Sequence, residues 1–236
     1  MTIQDDTADI IATMDKCKIM SRVGTGLDAI NIPAATAKGI WVANVPDYSA
    51  DEVSTHAITL LLIHSRSMLS MFQSVQEGTW LDQNKIGPAQ RLQGQTLGSL
   101  GYGRIGQAMA AKGQGIGLDV TVYDPYVMTA AIETMGVRAV DLETLLRTAN
   151  FVSLHVPLTD TTRHIINTQT LAWMKPTALP INTARGPLID ETTLVEAVRA
   201  NKIAGAAIDV FPIEPPPADH PFLHEKRIMV TPHAAC

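Results

Sequence analysis

Cysteine is scarce: Cys17 and Cys236 are the only two, and they sit near opposite ends of the chain. No disulfide framework follows from such a pair, so a reducing, cytoplasmic setting is expected. Basic blocks are lacking too. Net charge is −5 and the Lys and Arg residues are scattered, which argues against a direct nucleic-acid partner. Aromatic residues are only 5% of the chain, so Ala, Leu and Ile must fill the core, a composition that suits helices on a sheet. No apolar run is long enough for a bilayer. The longest, ITLLLI over 58–63, is broken by His56, His64 and Arg66. The opening MTIQDDTADI has neither the basic start nor the apolar centre of a signal peptide. A soluble protein with no membrane association is expected.

What is present is alternation. DIIATM, CKIMSRV, IPAATAKG and IWVANV read as helix, strand, helix and strand within residues 1–46. A long apolar run then predicts one buried helix over about 50–72, in a core or a subunit interface. A turn-rich patch follows at 78–90. From Gln95 onward, strands (TLGSLG, DVTVYD, FVSLHV, ALPINTA, AGAAIDVF, RIMVTP) are separated by helices, the last pair excepted. Such a chain makes right-handed crossovers and a parallel sheet covered on both faces, a doubly wound α/β fold.

The first of these strands runs into GYGRIG, which fits G-x-G-x-x-G. Gly101 permits the tight turn, Gly103 lets backbone approach a pyrophosphate, and Gly106 lets helix and strand pack closely. The helix N-terminus supplies free N–H groups to phosphate. The next strand ends in Asp124, placed to accept the ribose hydroxyls of an adenosine. No Arg follows in DPYV, so the pattern points to NAD rather than NADP.

Ligands of doubly wound sheets bind beyond the carboxyl ends of the strands, and polar residues gather there. His155 ends FVSLH, Thr183 and Arg185 end INTAR, Asp209 ends GAAID, and His233 follows IMVTP, with Glu214 on the loop before the last strand. A histidine can exchange a proton with an alcohol near neutral pH. A neighbouring carboxylate would fix its ring and favour its charged form. An arginine can hold a substrate carboxylate with two bonds. Near the start, Val23-Gly24-Thr25-Gly26 offers closely spaced N–H groups, an anion nest for the same carboxylate.

SRVGTGLDAI, NVPDYSADEVSTHA, LGSLGYGRIGQ, YDPY, FVSLHVPLT, INTARGPLIDE, IAGAAIDVF, EPPP and TPHAA occur in this order. In this the chain resembles the D-isomer-specific 2-hydroxyacid dehydrogenases, the group of phosphoglycerate dehydrogenase and the C-terminal-binding-protein corepressors. The resemblance implies a Rossmann-type NAD lobe over 47–236 and an incomplete flavodoxin-like substrate lobe over 1–46. It implies interconversion of a small 2-hydroxy acid and its 2-keto acid by NAD. Arg185, Glu214 and His233 map to the family's catalytic set. Arg104, Ile105, Asp124, Val156, Thr183, Arg185, Asp209 and His233 map to positions lining the NAD site, beside the three glycines. Val23, Gly24 and Thr25, with Arg185, are the expected substrate contacts. A homodimer built on the 50–72 helix is implied as well.

Rival readings exist: an NAD(H)-sensing corepressor-like interaction protein, or an inactive fragment. Compared with the family, the match starts late and ends early. His233 therefore has little chain behind it, and a mobile terminal His with impaired turnover is expected. Pro180 is a second oddity, because proline is disfavoured in a buried strand. It is expected at the strand's start or at a bulge. His220 and His224 have helical metal spacing but no companion ligand set, so no metal is expected. His56 and His64 read as satisfied packing residues, and Cys17 as a packing thiol.

Overall fold

The computed structural model describes residues 8–80 and 89–235. The chain divides into two compact units, Met1–Asp51 and Glu52–Cys236. Part of the turn-rich patch expected at 78–90, residues 81–88, lies outside the described residues.

In the first unit α1 (Ala8–Ala12), β1 (Ile19–Ser21), α2 (Ile32–Ala37) and β2 (Trp41–Ala43) form a two-stranded parallel sheet with helices. Ile11, Ala35 and Ile40 make its small core, and Cys17, Met20 and Val42 pack on them. Cys17 is a free thiol in that packing.

The second unit opens with α3 (Ala50–Ser65) and α4 (Met68–Gln76), where a single helix over 50–72 is expected. Ser67 breaks it, with φ at 51° in the left-handed region. Its N–H turns back to His64 O at 3.0 Å, closing a tighter turn before the chain restarts. The break divides the apolar surface. On α3, Ala57, Ile58, Leu60 and Leu61 join the core, so Leu61 is a core residue. On α4, Met68, Leu69, Phe72 and Val75 are exposed, Phe72 at 64%.

Seven strands follow: β3 (Thr96–Leu100), β4 (Asp119–Tyr123), β5 (Arg138–Ala139), β6 (Phe151–Leu154), β7 (Leu179–Asn182), β8 (Ala206–Ile208) and β9 (Ile228–Val230). They pair in the order β5-β4-β3-β6-β7-β8-β9, all parallel. The intervening helices are α5 (Arg104–Gly115), α6 (Thr129–Glu133), α7 (Leu142–Thr148), α8 (Thr168–Trp173), α9 (Glu191–Arg199) and α10 (Pro221–His224). Side chains alternate between the two faces of each strand. Leu97, Phe151, Leu179, Ile181 and Ala207 face one cluster with α3, α5 and α6. Leu100, Val152, Leu154, Ala206 and Ile208 face the other with α7, α8 and α9. The doubly wound Rossmann-type sheet expected from the alternation is present. Its strand order reverses between β3 and β6, and the crevice at such a reversal is where ligands bind.

Pro180 sits inside β7 without a bulge, since Phe151–Leu154 pair in unbroken register with Leu179–Asn182. Leu179 N–H donates to Asn150 O on the β6 side, so the proline nitrogen faces β8. Pairing with β8 begins only at Ile181. The missing donor therefore falls before that ladder starts, which is why a buried strand tolerates it.

Candidate active site

Space is cleared by glycine at the reversal point. Gly101 has φ +98°, and a Cβ there would lie 2.7 Å from His155 O. At Gly106 a Cβ would lie 2.3 Å from Gly101 O, so α5 can start against the strand end only if this residue has no side chain. Gly103, the N-cap of α5, faces open space. Arg104 is exposed and Ile105 half-buried at the first turn. Asp124 lies at the end of β4 and ties the loop down. Its Oδ2 accepts Tyr102 N–H at 2.8 Å and its Oδ1 accepts Tyr126 N–H at 2.9 Å. Beside it lies a cavity of about 300 Å³, lined in part by Tyr123, Asp124, Thr129 and Val140.

His155 and half-buried Val156 follow β6 at the same edge. Burial pushes the His155 imidazole down to about 4, so its ring is neutral at neutral pH. Its Nε2 lies 2.9 Å from the Ser153 hydroxyl.

The turn after β7 is organised by Asn182, a buried residue that the residue pattern did not single out. Its Nδ2 donates to Arg185 O at 2.8 Å, and its Oδ1 accepts Ala184 N–H at 3.1 Å. Thr183 is buried too, and its Oγ1 has no partner among the described residues. A buried hydroxyl left open at a strand end is what a bound polar group would satisfy. Arg185 is half-buried, and its Nη1 donates to Ala184 O. Gly186 follows, where a Cβ would lie 2.2 Å from the Phe211 carbonyl carbon. That close approach brings the Arg185 turn against the loop carrying Glu214.

Glu214 and His233 meet. His233 Nδ1 lies 2.6 Å from Glu214 Oε2, while Glu214 Oε1 accepts Phe211 N–H at 2.9 Å. The carboxylate is thus held at one oxygen and orients the imidazole with the other, leaving Nε2 as the nitrogen for chemistry. The turn carrying His233, expected to be loose, is tied by hydrogen bonds to Asp209. Asp209, 0% exposed, anchors the turn. Its carbonyl accepts His233 N–H at 2.8 Å. Its Oδ1 accepts Thr231 Oγ1–H at 2.5 Å and Ala234 N–H at 2.9 Å. Its Oδ2 accepts Ala235 N–H at 3.1 Å.

In the first unit, Val23 is exposed and Gly24 has φ +142°. Gly24 O accepts Val45 N–H, and Thr25 O accepts Asn44 Nδ2–H at 2.8 Å. His220 contacts Glu191 Oε1 at 3.3 Å and His224 contacts Ala218 O at 3.0 Å. Among the described residues no three His, Cys, Asp or Glu side chains gather as a metal site would require.

A parallel sheet in this order, with a glycine-lined turn, a helix starting at that turn and a carboxylate after its second strand, defines a dinucleotide-binding α/β protein. Residues 58–235 match the D-isomer specific 2-hydroxyacid dehydrogenase, NAD binding domain, and the chain belongs to that family. D-3-phosphoglycerate dehydrogenase of Methanocaldococcus jannaschii is 42% identical over 228 residues, which cover 96% of this chain and 43% of that protein. Hydroxypyruvate reductase of Thermotoga maritima is 42% identical over 230 residues, 96% of this chain and 73% of that protein. The solved D-lactate dehydrogenase of Aquifex aeolicus, complexed with NAD and lactic acid, is similar with TM-score 0.88 at 30% identity. That likeness covers 97% of this chain and 73% of the other. The chain thus spans under half the phosphoglycerate dehydrogenase and about three-quarters of the other two. NAD is the cofactor of the matched domain, and the residues present fit it: space at the helix start at Gly103, a carboxylate at the end of the second strand at Asp124, and at Thr183 a buried hydroxyl with no partner among the described residues.

Proposed function

We propose that this chain carries the machinery of an NAD-dependent D-2-hydroxyacid dehydrogenase, acting on a small 2-hydroxy acid or, in reverse, its 2-keto acid. The 2.6 Å pairing of Glu214 with His233, pinned from behind by Asp209, is the observation that carries this reading. When bound, NADH supplies the hydride. His233 supplies the proton at Nε2 to the substrate oxygen and takes it back in the oxidative direction. Glu214 keeps the ring oriented and stabilises its charged form. Arg185 would grip the substrate carboxylate and polarise the carbonyl. Gly101, Gly103, Arg104, Ile105 and Gly106 would receive the pyrophosphate. Asp124 would take the ribose, and Val156, Thr183 and Asp209 would border the nicotinamide half. Likeness to a hydroxypyruvate reductase and a D-lactate dehydrogenase supports an enzyme over a dinucleotide sensor.

The test is NADH oxidation with a panel of small 2-keto acids. Oxidation that depends on one of them, and that NADPH supports poorly, is expected. Oxidation with none of them would contradict the proposal.

We further propose that the protein is a cytoplasmic homodimer joined through α4. Its exposed Met68, Leu69, Phe72 and Val75 form an apolar stripe at helical spacing. Phe72→Asp should convert a dimer into monomers in light scattering. A monomeric parent protein would contradict this. Leu61, being in the core, is the wrong place for such a test.

A further inference from the structure

His56 lies on α3, far in sequence from the reacting groups, yet its Nε2 is 3.0 Å from Thr231 Oγ1 and 3.5 Å from Asp209 Oδ1. The hydrogen positions follow from the donor inventory. Thr231 has one hydroxyl hydrogen and gives it to Asp209 Oδ1 at 2.5 Å, since a carboxylate only accepts. The Thr231 oxygen must then accept from His56, so His56 Nε2 carries a hydrogen in either charge state. The result is a directed chain from imidazole N–H to hydroxyl to carboxylate.

The far end of that chain is the turn that holds His233. The same carboxylate accepts Ala234 N–H and Ala235 N–H, and the Asp209 carbonyl accepts His233 N–H. His233 itself has φ +50°, a left-handed conformation that a non-glycine residue keeps only where its surroundings hold it. Its ring must reach Glu214 from that backbone. Asp209 is the common point of these bonds, and His56 is a side chain from outside the strand ends that orients one of its donors.

We infer that His56 is a positioning residue for His233, acting through Thr231 and Asp209 on the turn at 231–235. The inference deepens the dehydrogenase reading and rests on it for its kinetic consequence, but not for its structural one. Mere packing by His56 would ask only for a side chain of similar bulk. Positioning asks for a donor at Nε2, which glutamine can replace and leucine cannot.

The experiment compares His56→Leu with His56→Gln, and Thr231→Val with Thr231→Ser, in histidine-¹⁵N-labelled protein. Readouts are the His233 ring signals, amide exchange at Ala234 and Ala235, NADH affinity, and the separate values of kcat and KM. In His56→Leu and Thr231→Val, the Nδ1 signal should lose the signature of its Glu214 bond. Exchange at Ala234 and Ala235 should rise about ten-fold, and kcat should fall by a similar factor. NADH affinity and substrate KM should stay within about two-fold. His56→Gln and Thr231→Ser should restore the parent values. The inference is overturned if His56→Leu leaves the His233 signals and these amides unchanged, or if glutamine fails as badly as leucine. Should His56→Leu not fold, the Thr231 pair decides alone. If the parent protein reduces no 2-keto acid, the dehydrogenase reading fails while the ring signals still judge the role of His56.

Discussion

At the β3 end of the sheet edge the chain clears space with glycine, and a helix starts there. At the β9 end it fills space with side chains, and a buried carboxylate collects their hydrogen bonds. Gly101, Gly103 and Gly106 act by having no side chain, so the first region is made of backbone. Asp209, Thr231 and His56 act through functional groups brought together from three elements. The difference matches the two tasks proposed for them. Phosphate recognition needs close approach and many N–H donors. Proton transfer needs one nitrogen held in one place.

The largest effect should come from the filled end. Asp209→Ala strands the donors of Thr231, Ala234 and Ala235 and should cost about 3–5 kcal/mol in urea denaturation. A loss below about 1 kcal/mol would mean the turn holds itself. Next come the glycines, which should separate by position. Gly106→Ala drives a Cβ into the Gly101 carbonyl and should destabilise the fold by about 2 kcal/mol. Gly103→Ala meets nothing in the protein and should leave Tm unchanged while weakening NADH binding about ten-fold. Equal behaviour of the two variants would dissolve the distinction between packing glycine and ligand-facing glycine. Comparable in size to Gly106→Ala is a pH dependence at the cleared end. His155 is neutral when folded, with its folded value near 4 and its ordinary value at 6.5. Below 6.5 the unfolded chain takes up a proton that the folded chain refuses until near 4, so stability falls across that window as pH drops. Between pH 7 and 5 the loss should be about 2 kcal/mol, and His155→Asn should flatten it. Burial lowers His64 in the same direction, so some slope should persist in that variant.

The two regions also differ in how far they can be read from residue order. Glycine spacing followed by an acid at the next strand end is a local signal, because the turn geometry itself demands glycine. The α/β alternation is equally local, since burial on both faces leaves strands uniformly apolar. The network around Asp209 is not local. His56 and Thr231 are separated by 175 residues, and neither falls in a motif whose chemistry requires it. Asn182 was hidden for a similar reason, being buried within a strand and engaged only with the turn that follows. Arg185, Glu214 and His233 are named by the resemblance, but the bonds from Asp209 to the turn at 231–235 are not. Ser67 escaped notice because a left-handed serine has no compositional mark. Its position decides which apolar residues face the core and which face outward.

We propose that the second unit holds His233 ready beside its own NAD site. The most direct test is single-turnover reduction of a 2-keto acid by NADH bound to the protein, beside His233→Ala. The parent should oxidise its bound NADH, and the variant should bind NADH equally well yet fail to oxidise it. Turnover that survives the loss of this imidazole would contradict the account.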